Sequence, residues 1–301
     1  MTSLPHSHPL RAGLFMVAAL ACFVLNDTCI KFIGTSLPLG EIITLRGVLS
    51  VALIAAVCRY QGVLQSAAHV FTPSVLVRSC LDVLSTVLFL ISLLHMPIAN
   101  LTSITQTVPL VVTLLSVIFL KEKVGWRRAL AILAGFIGVC FIVKPTPQNF
   151  TIYESLALGM VVLLAFRDLV TKRIPSHVPT LVVALANAFF VTLGGIALVL
   201  FQGFPRPELW QVGLLAASAV LLSGGYLLIV ITLRMGDLST TAPFRYFNIL
   251  ITIIIGVVLF GEYPDGWSYI GMLLVIVAGL YAAHREARRH GTKLLRQTYN
   301  D

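Results

Sequence analysis

Long apolar runs separated by short polar connections make up most of this sequence. A helix that crosses the hydrocarbon core of a bilayer needs roughly 20 apolar residues, whereas the strands of a membrane barrel alternate in polarity over about 10 residues. Ten runs of the helical kind lie at approximately 10–32, 40–59, 74–94, 98–120, 126–143, 154–173, 179–202, 209–233, 238–260 and 267–284. The pattern therefore predicts an all-α integral membrane protein with ten transmembrane helices.

The second half of the chain repeats polar and small residues of the first half. Several pairs of identical residues lie 141 positions apart: Asp27 and Asp168, Lys31 and Lys172, Pro38 and Pro179, Trp126 and Trp267, and Gly138 and Gly279. The sequence therefore predicts two five-helix halves, residues 1–146 and 150–290, followed by a cytoplasmic tail at 291–301. Because five is odd, the second half enters the membrane upside down. Inverted repeats of this kind are typical of secondary transporters, whose substrate site lies between the halves.

The positive charge of the chain is unevenly distributed over the predicted connections. The sequence has 301 residues, of which 58% are hydrophobic and 11% charged, and a formal net charge of +9. If the N-terminus is cytoplasmic, 15 Lys and Arg residues lie on the inner side and three, Lys31, Lys144 and Arg206, on the outer side. This bias predicts a multi-pass protein of a bacterial-type inner (plasma) membrane with both termini in the cytoplasm. The charge thus reports orientation and contact with membrane lipid, and no nucleic-acid partner is expected.

Charged residues inside the predicted helices are the first candidates for function, because an ionisable group in the membrane is costly unless it is paired or faces water. Asp27 and Arg46 lie at one depth in helices 1 and 2, which predicts an ion pair between them. Asn26 lies beside this pair, and Lys31 supports it from one turn further along helix 1. Two interpretations stay open: these side chains either clamp the two helices together or contact the substrate directly.

The second half keeps part of this arrangement near the predicted inner side. Three residues occupy positions that correspond to the polar residues just named: Arg167, Asp168 and Asn187. The same two interpretations apply to them, a clamp between helices 6 and 7 or contact with substrate.

Asp82 and Arg245 have no charged counterpart in the other half, and a site for an asymmetric substrate must break the repeat somewhere. Asp82 either titrates in proton coupling or pairs with Arg78 one turn earlier. Arg245 either holds a substrate carboxylate, with Tyr246 and Asn248 nearby, or extends its charge toward the aqueous phase from the end of helix 9.

Polar and aromatic residues in two further helices are candidates for the lining of a substrate path. Pro109 is expected to bend helix 4, and Gly224 and Gly225 allow close approach or flexing in helix 8. The side chains concerned either line a water-filled path or bond to neighbouring helices: Asn100, Ser103, Gln106 and Thr107 in helix 4, and Tyr226 in helix 8.

Two stretches resemble a known transporter domain. "FLKEKVGWRRALAILAGFIGVCFIV" and "LFGEYPDGWSYIGMLLVIVAGLYAA" each combine a helix that ends in Glu, a turn with Trp, and Gly about sixteen residues after the Glu. They resemble the two copies of the EamA domain of the drug/metabolite transporter superfamily, and "NDTCIKFIGTSLPLGEIITLRG" is similar to the start of that domain. The resemblance implies ten helices and a role in the export or uptake of small metabolites. Relatives in the family export amino acids, among them the YddG-like aromatic amino acid exporters.

These observations predict a secondary transporter that exports a small metabolite, first of all an amino acid, by alternating access, and the resemblance to the YddG-like exporters adds aromatic amino acids as candidates. An importer or a broad-specificity drug/metabolite facilitator is the alternative, and a passive channel would lack alternating access. An intramembrane enzyme is the least favoured, since HExxH, GxSxG and GxxxxGKS/T are absent from the sequence. The five cysteines show no ligand spacing, so no metal or cofactor is expected. The predicted oligomeric state is a monomer or a weak homodimer.

Overall fold

The computed structural model describes residues 9–121, 126–144, 150–175, 177–203, 205–235 and 242–298. Within these ranges the chain forms helices and no strands, which confirms the predicted all-α class for the described residues. The α-helices are α1 Pro9–Ile33, α2 Leu39–Tyr60, α3 Pro73–His95, α4 Ile98–Thr105, α5 Val108–Leu120, α6 Trp126–Val143, α7 Ile152–Thr171, α8 Thr180–Gln202, α9 Leu209–Met235, α10 Phe247–Phe260 and α11 Gly266–Thr298. Two 3-10 helices are Leu64–Phe71 and Ala242–Tyr246.

Six helical segments of the described chain are long and apolar enough to cross a membrane. They are Arg11–Ile33, Leu39–Tyr60, Pro73–His95, Ile98–Phe119, Thr180–Gln202 and Leu209–Ile229. Three shorter apolar segments are Ala129–Val143, Phe244–Phe260 and Gly266–Ala282. Many large apolar side chains remain exposed on the surface, such as Leu200, Phe201 and Leu209. A surface of this kind suits contact with lipid and not with water.

Prolines mark the beginning of several helices. Pro38 and Pro179 immediately precede α2 and α8, and Pro109 lies in the first turn of α5. Proline lacks a backbone N–H but has a φ angle that suits the first turn of a helix, so it is tolerated there and disruptive further on. The run 98–120, which the sequence predicts as one helix bent at Pro109, is accordingly divided into α4 and α5 just before this proline.

The last helix is longer than the sequence predicts. The apolar run ends near residue 284, whereas α11 continues to Thr298. The added segment is rich in Arg, Lys, Leu, Ala and Gln, which favour helix even where no apolar face is available. Most of the predicted tail at 291–301 is therefore helical, and its last three residues lie outside the described ranges.

The principal helix contacts join the first half of the chain to the second. Helix α1 packs on α9, α2 on α8, α3 on α7, α4 on α10, and α6 on α11. An extensive core follows these contacts and includes fully buried residues such as Ile42, Leu93 and Ile98 from the first half and Met160 and Ile249 from the second. The seam between the halves is thus a main packing surface of the protein.

Helices α2 and α8 approach each other backbone to backbone at glycine positions. A Cβ atom added at Gly40 would lie 2.7 Å from the backbone nitrogen of Val199, and one at Gly195 would lie 2.6 Å from Cγ2 of Ile43. Real Cβ atoms do not approach other atoms so closely, so only glycine fits these two positions. The two halves are therefore in close contact at the N-terminal end of α2.

Candidate functional site

A polar cavity of about 160 Å³ lies further along α2. Helices α1, α2 and α3 of the first half and α8 and α9 of the second half contribute its walls. The lining positions recur at helical spacing, as shown by Arg46, Ser50 and Ile54 on α2, so one face of each helix is directed toward the cavity. Its polar lining consists of Asn26, Asp27, Arg46, Ser50, Thr86, Asn187 and Tyr226, and its aromatic wall also includes Phe89.

Arg46 and Asp27 face this cavity from different helices without forming a direct ion pair. Within the described part of the chain, the Arg46 side chain has no hydrogen bond or ion-pair partner, although Arg46 is only 7% exposed. The Asp27 carboxylate instead accepts a hydrogen bond from Asn26 Nδ2 at 2.9 Å. Asn26 is itself held by Ser218 of α9, whose Oγ donates to Asn26 Oδ1 at 2.8 Å. The expected Asp27–Arg46 pair is therefore not a direct contact: Asn26 holds the carboxylate, while the two opposite charges interact at longer range and both line the cavity.

Two further polar atoms of the cavity lining have no partner in the described residues. They are Ser50 Oγ and Asn187 Oδ1, both inaccessible from the protein surface. Asn187 Nδ2 donates a long hydrogen bond of 3.5 Å to the Tyr226 hydroxyl. Buried polar atoms are nearly always hydrogen-bonded, to protein or to water, because an unpaired one costs free energy. Both residues line the cavity, but these two oxygens have almost no accessible surface and so do not contact its interior in this conformation.

A charged cluster joins α3 to α7 beside the cavity. Asp82 lies between two arginines, with its Oδ2 2.8 Å from Arg78 Nη1 and its Oδ1 3.0 Å from Arg167 Nη1. The Arg78 contact is an ion pair whose closest atoms are not aligned as a hydrogen bond. Arg167 also binds Asp168 at 2.6 Å. Thr86, one turn along α3 from Asp82, lines the cavity, so the cluster lies next to it and not in it.

This cluster confirms the pairing of Asp82 with Arg78 and shows a second partner that the sequence analysis did not anticipate. The two acidic and two basic groups balance in charge and connect two helices from different halves. The cluster joins α3 to α7, whereas the clamp expected from the sequence, between predicted helices 6 and 7, would join α7 to α8.

The candidates from predicted helix 4 (now α4 and α5) and predicted helix 9 (now Ala242–Tyr246 and α10) do not line the polar cavity. Ser103 and Thr107 donate to backbone oxygens of their own helical turn, at 2.7 and 2.6 Å. Gln106 Nε2 donates to the backbone oxygen of Arg245 at 2.7 Å, while the Arg245 side chain is exposed. Ser103 and Thr107 are thus bonded within their own helical segment, and Gln106 joins the end of α4 to the segment before α10. Contact with substrate stays a prediction for this set: Asn100, Ser103, Gln106, Thr107, Arg245, Tyr246 and Asn248.

Tyr246, Asn100 and Asn248, the other candidates from predicted helices 4 and 9, are largely enclosed by the protein. The Tyr246 ring packs against Gly279, which is one of the repeated glycines. The side-chain oxygens of Asn100 and Asn248 are buried and have no partner in the described residues. Neither asparagine lines the polar cavity.

A second group of ion pairs joins the halves at the end of α1. Lys31 binds Glu262 at 2.5 Å and donates to the backbone oxygen of Met96 at 2.6 Å, while Glu262 also accepts from the backbone nitrogen of Ile98 at 2.9 Å. Lys144 binds Asp265 at 2.7 Å. Lys31 therefore does not support Asp27, as the i,i+4 spacing suggested, because a carboxylate from the second half is available to it.

Comparison with known proteins places these observations in a family. Residues 10–144 and 151–282 each match the model of the EamA-like transporter family. The S-adenosylmethionine uptake transporter of Rickettsia bellii is 24% identical over 286 residues, which cover 94% of this chain and 96% of that protein. The riboflavin transporter of Vibrio cholerae is 25% identical over 287 residues, with 94% and 96% covered. The pseudopaline exporter CntI of Pseudomonas aeruginosa is 25% identical over 272 residues, with 89% and 95% covered.

The fold is also found among solved structures. One crystal structure aligns with a TM-score of 0.62 at 18% sequence identity, and the alignment covers 93% of this chain and 98% of that one. At this level of identity the match establishes likeness of fold alone.

Proposed function

Because this chain belongs to the EamA-like transporter family, we propose that it carries a small metabolite, with an amino acid as the first candidate, outward across the membrane. The chain is a multi-pass membrane protein whose family and relatives are transporters and not enzymes. The proposed architecture is ten transmembrane helices in two inverted repeats, residues 1–146 and 150–290, with both termini in the cytoplasm.

The observation that carries the choice of an amino acid is the pair of opposite charges held apart across one cavity. The Arg46 guanidinium is planar and offers several donors, which suits a carboxylate. The Asp27 carboxylate, fixed by Asn26, is the complementary partner for an ammonium group. A zwitterion would bind with its two charged groups directed at these two side chains.

Transport follows if the two halves rock about this cavity. The glycine contacts between α2 and α8 close the seam at one end of α2, and the Lys31–Glu262 pair joins the halves at the end of α1. A rocking motion would break contacts of this kind while the substrate remains between Arg46 and Asp27. No ATP site is required for such a cycle.

The direction of transport has a second candidate. Named relatives include uptake transporters for S-adenosylmethionine and riboflavin as well as an exporter of pseudopaline. S-adenosylmethionine also carries an α-amino acid group, so the proposed Arg46 and Asp27 contacts would serve uptake equally well. Uptake of an amino acid derivative is therefore the alternative function.

The test is transport by purified protein in liposomes of known protein orientation. Labelled amino acids, S-adenosylmethionine and riboflavin would be supplied on either side in turn, and saturable flux above that of empty liposomes would be measured. We expect flux of at least one zwitterionic amino acid, driven by its gradient. Absence of flux for every amino acid in both directions would refute the proposed substrate class.

Arg46 variants connect this flux to the cavity. Arg46→Ala removes the proposed carboxylate contact and should weaken amino acid binding roughly 10- to 100-fold, since hydrogen bonds to charged groups contribute about 1.5–3 kcal/mol. Arg46→Lys keeps the charge but loses the planar donor set, so it should fall between Ala and wild type. Arg59→Ala, which changes an exposed arginine at the end of the same helix, is the matched control and should bind normally. Equal affinity in Arg46→Ala and Arg59→Ala would remove Arg46 from the site.

A further inference from the structure

A second cavity, of about 210 Å³, adjoins the polar one. It lies between α2, α8 and α9, and aliphatic side chains such as Leu53, Leu181 and Val220 form most of its wall. Leu53 and Val220 are 37% and 59% exposed, and both belong to helical segments that are long and apolar enough to cross a membrane. The mouth of this apolar cavity therefore faces the hydrocarbon of the bilayer, whereas the polar cavity is lined by Asp27 and Arg46.

Tyr226 and Ile54 form the wall between the two cavities, since they are the residues of the described chain that line both. The Tyr226 ring meets the Phe23 ring of α1 edge to face, with the ring centroids 5.5 Å apart. Its hydroxyl accepts the long hydrogen bond from Asn187 Nδ2, and its ring packs against the buried cluster that contains Ile54 and Leu181. Side chains from α1, α2 and α8 therefore hold this wall in place.

Gly225, the neighbour of Tyr226, allows Phe23 to reach the wall. A Cβ atom added at Gly225 would lie 2.7 Å from Cε1 of Phe23, which is closer than real Cβ atoms approach other atoms. Phe23 can therefore lie against the α9 backbone only because this position has no side chain. The close approach places Phe23 beside Tyr226 and restrains the Tyr226 ring from turning toward α1.

The volume of the polar cavity limits the solute that fits on its side of the wall. A protein cavity of about 150 Å³ holds one molecule of benzene. The polar cavity has a similar volume, about 160 Å³. Alanine has as many non-hydrogen atoms as benzene, whereas leucine has half as many again. An amino acid much larger than alanine would therefore need space beyond Tyr226 and Ile54.

We propose that Tyr226, together with Ile54, sets the size limit of the transported solute by closing the polar cavity toward the apolar one. This inference rests on the proposed function, because it assigns the charged groups of the solute to Arg46 and Asp27. The solute is then a zwitterion with a short side chain. The same wall separates its charges from the bilayer hydrocarbon, where an unpaired charge is costly.

The first experiment measures the flux of labelled alanine and leucine in liposomes that contain either the wild-type protein or Tyr226→Ala. Wild type should prefer alanine by at least about tenfold, since one methylene group in a pocket changes specificity roughly 10- to 200-fold. In Tyr226→Ala the two cavities join, and the apolar cavity can take the leucine side chain. The ratio of leucine flux to alanine flux should therefore rise by at least about tenfold. Misfolding cannot produce such a gain.

Three further variants identify the cause of the change. Tyr226→Phe keeps the ring and loses the hydroxyl, so it should still exclude leucine. Ile54→Ala thins the same wall from α2 and should raise the leucine-to-alanine ratio, so it provides the test if Tyr226→Ala aggregates in detergent. Leu53→Ala is the matched control, because Leu53 lines the apolar cavity but not the wall, and its ratio should equal that of wild type.

The outcomes separate this inference from the proposed function. Wild-type transport of leucine as fast as alanine, or of S-adenosylmethionine, would overturn the size limit and leave the amino acid site at Arg46 and Asp27 standing. An unchanged ratio in both Tyr226→Ala and Ile54→Ala, or an equal rise in Leu53→Ala, would do the same. If wild type transports no amino acid in either direction, the proposed function fails and this inference fails with it.

Discussion

At the scale of single residues, the arrangement of Arg46 differs from that of three other basic residues in the helices. Arg78, Arg167 and Lys31 each have a carboxylate within 3.0 Å. Arg46, in contrast, faces a cavity, and no carboxylate contacts its guanidinium in the described structure. A buried charge without a direct partner is costly. Its retention is explained if the partner is a group on the transported molecule, whereas the paired charges act on the fold.

Asp82 is expected to contribute to stability. Asp82→Asn removes the negative charge between Arg78 and Arg167 and leaves two nearly buried cations close together. The loss of one member of a buried ion-pair network destabilises by about 3 kcal/mol or more. We therefore expect a clearly lower unfolding temperature for detergent-solubilised Asp82→Asn.

Asp168→Asn provides the comparison for this prediction. Asp168 contacts the same Arg167, but its side chain is 39% exposed, so its removal should cost much less. A melting temperature for Asp82→Asn as high as that of Asp168→Asn would contradict the clamp.

Asp265 gives a prediction for the pH dependence of stability. Hydrogen bonds from Lys144 and Ser268 lower the pKa of Asp265 from its ordinary value of 3.8 to about 2. Because the pKa is lowered on folding, the carboxylate stabilises the protein above pH 3.8, and this contribution is lost as the pH falls through about 2. The effect is small, since the side chain is 43% exposed.

The melting temperatures of wild type and Asp265→Asn should therefore differ by a constant amount above about pH 5 and converge in more acidic solution. Lys144→Gln removes the bridge from its other side and should show the same convergence with wild type. A difference that changes between neutral pH and about pH 5 instead would assign the titration to another group.

The sequence alone identifies some cavity residues because charge and amide groups are conspicuous in an apolar run. Asp27, Arg46 and Asn187 are examples, and the structure places all three at one cavity. Ser50 and Thr86 were missed, although each lies one turn from a charged residue of its own helix. Hydroxyls in membrane helices commonly bond the preceding turn, as Ser103 does, so their type gives no signal without knowledge of the packing.

At the scale of elements, the glycines between α2 and α8 determine how closely two central helices approach. A Cβ atom at Gly195 would lie 2.9 Å from the backbone nitrogen of Thr44 as well as close to Ile43. Gly195→Ala must push the helices apart, and overpacking of this kind costs about 1–3 kcal/mol. We expect a lower unfolding temperature and reduced transport, whereas Gly213→Ala on α9 should be neutral or slightly stabilising. If Gly195→Ala unfolds at the same temperature as wild type, the two helices can separate at little cost and the prediction is wrong.

Helix boundaries illustrate what periodicity and hydropathy can predict. Apolar runs locate the helices well, since the cost of an unpaired backbone in lipid leaves little alternative. The division before Pro109 and the continuation of α11 to Thr298 depend on local backbone preference, which hydropathy does not measure. The Lys31–Glu262 pair depends on tertiary contact between the halves, so i,i+4 spacing pointed to the wrong partner.

At the scale of the whole molecule, the helix contacts obey the symmetry that the repeat implies. If the halves correspond helix by helix, the α1–α9 contact is the counterpart of the α7–α3 contact. If each helix is exchanged for its equivalent in the other half, three contacts map onto themselves: α2–α8, α4–α10 and α6–α11. A twofold relation between two copies of one five-helix unit generates such a set. The contacts thus fit two related copies, and the odd number of helices in each copy is what predicts that the second is inverted, with the axis in the membrane plane.

The inverted arrangement predicts the membrane side of corresponding residues. Single cysteines at Thr35 and Lys172, both exposed, would be introduced after replacement of the five native cysteines, and intact cells would be treated with an impermeant thiol reagent. Thr35→Cys follows α1 and should react from outside, whereas Lys172→Cys follows the corresponding helix α7 and should react only after permeabilisation. Arg59→Cys, at the far end of α2, reports the inner side. Reaction of Thr35→Cys and Lys172→Cys from the same side would mean that the halves are parallel, and a solute held between Arg46 and Asp27 would then have no second, inverted half to expose it to the opposite side.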